Sequence, residues 1–238
     1  MKTILLKFAG PLQSWGTSSH FETRHTDFYP SKSAVIGLIA ASLGYRRDED
    51  EKIARLNELD FAVRIDQQGN LLRDFHIVQK YTAKGDSDRN YVTNRYYLED
   101  AVFVVAISHG DSQFLNMILQ ALKSPYFQPF MGRRGLPLIA DWIIGDTEVG
   151  ALKSLELLEW QAATWFMKKH PNSLSLEMYV DSHLTDSIGS QLRQDRVESF
   201  SQKGRKFGFR YETRVIIRVN NPLQTRNTDH DIFKSIGD

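Results

Sequence analysis

Phe75-His76-Ile77-Val78-Gln79-Lys80-Tyr81, the polar centre Ala83-Lys84-Gly85-Asp86-Ser87-Asp88-Arg89-Asn90, and Val92-Thr93-Asn94-Arg95-Tyr96-Tyr97-Leu98 form the stretch on which the fold assignment turns. Its flanks are strand-like and its centre is rich in turn formers, so residues 71–100 read as a long exposed hairpin with a mobile tip. Treated as an insertion, the hairpin separates two halves of a regular pattern. Before it come a buried first strand over 2–8, a loop over 9–31 carrying Gly10, Pro11 and Gly16, and a helix filled by Ala34-Val35-Ile36-Gly37-Leu38-Ile39-Ala40-Ala41. Ser31 or Ser33 can cap that helix and Gly44 can end it. A second helix is expected from Asp48, with Glu51 three residues on as in a capping box. Phe61, Val63 and Ile65 alternate with Ala62, Arg64 and Asp66, which predicts a strand.

After the hairpin, residues 101–108 are strongly apolar and predict another strand. Asp111 can cap the following helix, whose apolar face is Phe114, Leu115, Ile118, Leu119 and Leu122. One more strand near 136–144 completes βαββαβ, an α+β unit of the ferredoxin-like kind. Residues 155–165 are ambiguous between strand and helix. Strands are expected over 174–180 and 207–219, and the polar stretch 221–238 is expected to be a flexible tail. The layout is therefore a first domain over 1–145 and a smaller β-rich part over 146–220.

Composition narrows the chemistry. The chain has 238 residues, 30 Lys+Arg, 29 Asp+Glu and no cysteine. Disulfides, thiolate zinc sites and a cysteine nucleophile are excluded. No apolar run approaches the roughly 20 residues of a membrane span, and the N-terminus lacks the apolar length of a signal peptide, so a cytoplasmic chain without a membrane partner is expected. Seven histidines are present, none paired at helical metal-site spacing, and there is no Walker sequence, dinucleotide fingerprint or nucleophile elbow. No cofactor or metal is expected. Metal-free RNA cleavage is the one enzymatic alternative: His76, Lys80 and Tyr81 lie close in sequence at the base of the hairpin, and His20 and His25 sit in the first loop.

The binding features are richer. Gly10-Pro11-Leu12-Gln13-Ser14-Trp15-Gly16 sets an amide, an aromatic ring and two glycines after a strand; Trp15 either stacks on a base or fills the core beside a turn. Tyr29-Pro30-Ser31-Lys32-Ser33 opens a helix, where hydroxyls and a Lys either hold an anion or simply cap. Gly132-Arg133-Arg134-Gly135 presents two adjacent arginines. Arg205-Lys206-Phe207-Gly208-Phe209-Arg210 interleaves basic and aromatic residues, in a segment 193–218 with eight Lys/Arg against three Asp/Glu, a local +5. The acidic segment 141–192, at −5, cancels it, which brings the whole chain to +1.

Taken in order, residues 10–16, Arg24, the 29–33 helix opening, Leu72-Arg73-Asp74-Phe75-His76, the 95–103 segment, Met131-Gly132-Arg133-Arg134 with Pro137-Leu138, and the looser Arg205-x-Phe207-x-x-Arg210 resemble the CasD family. Its members are subunits of Cascade, the type I-E CRISPR surveillance complex, in the fifth family of RAMP proteins. The resemblance covers nearly the whole chain and is weakest over 148–202. It implies a modified RRM/ferredoxin-like domain with a protruding thumb hairpin and a small β-rich C-terminal part. It also implies binding of the CRISPR RNA 5′ handle, capping of the CasC backbone filament, contact with the large subunit CasA, and access to target DNA through the assembled complex. The resemblance makes the chain non-catalytic, whereas type I-C relatives cut precursor RNA. On this reading Gln13, Trp15, Arg24, Lys32 and Ser33 form one handle-binding surface. Arg133, Arg134, Arg205 and Arg210 add phosphate contacts, and Arg73 and Arg95 support the thumb base.

Overall fold

The computed structural model describes residues 1–17 and 22–223. His20 and all but the first three residues of the expected tail lie outside the described residues. The chain enters as β1 (Lys2–Ala9), passes β2 (Leu12–Gln13) and β3 (Thr23–Arg24), and forms α1 (Lys32–Ser42) and α2 (Asp50–Leu56). Then come β4 (Asp60–Gln67), the hairpin of β5 (Asn70–Tyr81) and β6 (Ser87–Glu99), β7 (Val102–His109), α3 (Ser112–Lys123) and β8 (Ile143–Thr147). Helices α4 (Ala151–Leu157) and α5 (Thr164–Met167) lead to β9 (Ser173–Asp181), β10 (Ser190–Ser199) and β11 (Lys206–Asn220).

The main sheet has seven strands in the order β10-β11-β9-β4-β7-β1-β8. Its β4-β7-β1-β8 portion pairs antiparallel throughout, with the strand order of a ferredoxin-like βαββαβ unit. The fold is α+β and RRM/ferredoxin-like, as the sequence led one to expect. Alternation along the strands divides the core. Phe8, Phe61, Val63, Phe103 and Val105 face α1, α2 and α3 on one side. Leu5, Ala62, Val104, Ala106, Met178 and Val180 meet α4 on the other. Arg64 lies on the α4 side, fully buried, and its guanidinium holds Asp66 at 2.7 Å while donating to the carbonyls of Leu158 and Glu159 at the end of α4. A buried arginine thus caps that helix.

The inserted hairpin is present with its turn between Tyr81 and Ser87. β2 pairs antiparallel with the base of β6 and β3 pairs parallel with it, so the first loop grips the thumb at its root. Gly69, at φ +70°, makes the sharp entry into β5; a Cβ there would sit 2.4 Å from the Glu99 carbonyl oxygen.

Several local expectations are corrected. α2 begins at Asp50 after Glu49, whose carboxylate accepts from the Arg46 N–H and from Lys52, so Asp48 caps nothing there. The strand expected near 136–144 is confined to Ile143–Thr147, and Pro137 makes only an isolated bridge to Phe130. Residues 155–165 resolve into the end of α4, an irregular link and the start of α5. β10 was not anticipated. Its inward positions are Arg193, Asp195 and Val197, so apolar alternation is lost where the buried face is ionic. β9 pairs with β4 across the boundary expected near 145, so the C-terminal strands extend the first sheet.

Candidate nucleic-acid interface

Between α1, the first loop, the thumb base and the 127–134 segment lies an open groove of about 1030 Å³. Arg24, Arg95, Arg133, Arg134 and Arg205 line it, joined by Arg46 and Arg47, and among the described residues no carboxylate lines it. Its floor is largely apolar, built from the Gly37 and Ala41 face of α1 with Phe200 and Phe207 opposite. A second hollow of about 640 Å³ continues from it to the thumb base and shares Arg95, Arg133 and Arg134 with it while adding Arg73 and Asp74. Guanidinium groups over an apolar floor suit a polyanion whose uncharged parts can lie flat.

Local structure explains how the arginines converge. Arg133 donates to the carbonyls of Arg24 at 3.0 Å and Tyr96 at 3.2 Å and lies 4.3 Å over the Tyr97 ring. It ties the first loop to the thumb root, and its buried Nη1 has no hydrogen-bond partner among the described residues. Gly132 lets this happen: at φ +82° its backbone is so close to the first loop that a Cβ would stand 1.7 Å from the Ser14 oxygen. His25 stacks on Tyr96 at 5.4 Å beside Arg24. Arg73 donates to Asn94 across the hairpin at 2.9 Å.

Other expected residues are placed differently. Trp15 is 2% exposed, packs 5.0 Å from Phe8 and donates its indole N–H to Gln13, so it underlies the groove as a core ring and offers no face for stacking. Gln13 is fully buried and donates to the Ala101 and Phe8 carbonyls, which fixes the turn after β1. Ser33 lines the groove but is nearly buried, 3.2 Å from the Ser31 hydroxyl. Ser31 is the cap of α1.

Lys32 and Arg210 lie away from the groove. The anion expected at the start of α1 is the chain's own Asp195, which accepts the Lys32 N–H at 2.8 Å. The Lys32 ammonium pairs with Asp181 at 3.0 Å. Arg210 bridges Asp195 at 2.7 Å, Asp181 at 3.0 Å and Glu212 at 2.8 Å. Arg193 adds Asp27 at 3.0 Å and lies 4.2 Å over the ring of Tyr29, whose hydroxyl donates to Glu212 at 2.7 Å. Burial works against the charge of Arg210, but Asp195, Asp181 and Glu212 outweigh it and hold its pKa above the ordinary value. Burial pushes the Asp27 carboxyl up, with Arg193 opposing. Part of the local charge of 193–218 is therefore neutralised inside the protein, where Arg193 and Arg210 join this network, while Lys206 pairs at the surface with Glu198 at 2.6 Å and Arg214 with Glu177. Of the eight basic residues there, Arg205 alone lines the groove among the described residues.

The catalytic alternative is dispersed. His76 Nε2 is 2.5 Å from Asp74, Lys80 pairs with Asp88 at 2.9 Å, and the Tyr81 hydroxyl donates to Gln79. The three share no partner. Arg46 and Arg47 were missed in the sequence, although an adjacent arginine pair after the helix-ending Gly44 is the same signal that singled out Arg133 and Arg134.

A ferredoxin-like sheet with an inserted hairpin rooted beside an arginine-lined groove makes this an α+β scaffold with a basic cleft. The family model described as "CRISPR-associated protein (Cas_Cas5)" matches residues 3–211, and the chain belongs to that family. It is 33% identical over 161 residues, 61% of this chain and 71% of the relative, to the "CRISPR system Cascade subunit CasD" of Escherichia coli strain K12. A chain of a solved "CRISPR RNA-guided surveillance complex" aligns with TM-score 0.75 and 29% identity, over 92% of this chain and 91% of that one. A "Crystal structure of Cas protein" aligns at 0.64, again with 29% identity, over 90% and 94%. No helix among the described residues is long and apolar enough to cross a membrane.

Proposed function

We propose that this chain is a non-catalytic CRISPR RNA-binding subunit of a type I-E Cascade surveillance complex, and that its groove holds the 5′ handle. The observation that carries this reading is the convergence, among the described residues, of seven arginines and no carboxylate on one groove with an apolar floor. Phosphates bring affinity and salt dependence there, while splayed bases lie against apolar surface. The backbone subunit CasC and the large subunit CasA are the expected protein partners, and target DNA is met through the complex. The E. coli relative, named as a Cascade subunit, supports that assembly.

Arg134 and Arg205 are both exposed on the groove. Arg134→Glu with Arg205→Glu is expected to abolish capture of CRISPR RNA on co-expression with the other subunits while leaving the unfolding midpoint close to that of the parent. Each single change to Ala should lower the log-log salt slope by roughly one unit. Undiminished RNA capture by the double variant overturns the assignment.

A second reading rests on the short His76–Asp74 contact, since a carboxylate-oriented imidazole is an acid–base pair. It is separated by incubating the purified chain with precursor CRISPR RNA without metal. Cleavage that disappears in His76→Ala selects the endoribonuclease.

A further inference from the structure

The three cations and four carboxylates around Arg210 touch no part of the groove's open surface, yet they join the elements that form it. Ser33, Gly37 and Ala41 of α1 are floor, and Lys32 is the first residue of that helix. Phe200 and Arg205, in the β10–β11 connection, are the opposite wall, and Asp195 and Arg210 stand on the two strands it joins. Arg24 is carried by the first loop, and Asp27 and Tyr29 hold that loop to Arg193 and Glu212. The Phe200 wall packs directly on the α1 floor: a Cβ added at Gly37 would lie 3.4 Å from the Phe200 ring.

Buried ion networks are poor sources of stability, because apolar residues of similar volume commonly do as well or better. What they can supply is register, since each charge tolerates only the arrangement that pairs it. Here the network replaces the apolar alternation β10 would otherwise show.

We infer that Asp181, Asp195, Arg210 and Glu212, with Lys32 and Arg193, form an ionic clamp that sets the spacing of the groove walls, and that they are positioning residues for the bound RNA. This rests on the reading of the groove as the RNA site. Asn57 supports the same register, its side chain donating to the Val197 carbonyl and accepting the Val197 N–H. The clamp is internal, so it acts before any RNA arrives.

The test exploits the absence of cysteine. Asp48→Cys and Gln202→Cys, both exposed and outside the groove lining, allow spin labels on the two sides of the groove in the full chain without RNA. The parent should give one narrow distance. Asp195→Asn, nearly isosteric, should broaden it and lower CRISPR RNA capture in the assembled complex at least tenfold, with secondary structure and cooperative unfolding retained. Should Asp195→Asn fail to fold, Arg210→Lys, which keeps the charge and loses the fork, gives the same readings. Glu177→Gln, which removes a surface ion pair, should leave both unchanged. Narrow distances and full RNA capture in the clamp variants, even with a lowered unfolding midpoint, overturn the inference and make the network merely stabilising. A parent complex that captures no RNA instead overturns the reading of the groove, while the label distances, taken without RNA, still decide the clamp.

Discussion

Trp15 and Lys32 illustrate what residue type and spacing can and cannot convey. Both sit in segments that point to the groove, and both turn inward. An exposed Trp and a core Trp have the same sequence neighbours; what separates them is Phe8 at 5.0 Å and the Gln13 amide that receives the indole N–H. Trp15→Ala is therefore expected to cost about 3–5 kcal/mol, read as a drop in the urea midpoint, with RNA capture falling only as far as the folded fraction falls. A loss of RNA affinity at unchanged stability would contradict the core assignment. The arginines were easier to read, because adjacent like charges repel and are hard to bury together. That signal identified Arg133 and Arg134, and applied evenly it would have found Arg46 and Arg47.

Among the elements, legibility followed the simplicity of the burial. α3 shows every expected apolar position inside, and its Asp111 cap accepts from the Gln113 and Phe114 N–H groups. β4 and the hairpin also stand where the alternation put them. β10 was illegible because Arg193 and Asp195 face inward, a pattern sustained by partners far away in the sequence, Asp27 and the Lys32 N–H. The 127–136 loop is an intermediate case: its glycines marked a turn, but nothing in the sequence said which surface it would meet. Gly132 meets Ser14, so Gly132→Ala must push the loop off the first loop and carry Arg133 with it. The expected outcome is a lower thermal midpoint together with weaker RNA capture. Retention of both would mean that the loop relaxes without moving the arginines.

For the molecule as a unit, the seven-stranded sheet matters more than the division expected near residue 145. β9 pairs with β4, and Arg64, inside the first half, caps a helix of the second. A single calorimetric transition is expected, with calorimetric and van't Hoff enthalpies in agreement; two resolved transitions would show that the parts unfold separately. The near-zero net charge takes on a different meaning at this level. It comes from basic residues gathered in one groove, an ionic network neutralised within, and mixed charge elsewhere, so the sum said little about the surface that matters.

The clamp also orders events in time. The Lys32 N–H waits for Asp195 and its ammonium for Asp181, partners 163 and 149 residues further along the chain. Such non-local closures make folding slow compared with helix formation. During synthesis the first helix and the first loop leave the ribosome long before the strands that complete their charges. A nascent chain thus exposes Arg24, Arg46 and Arg47 well before the strands that set their register and before Arg205, so the proposed groove is complete only once β11 has emerged.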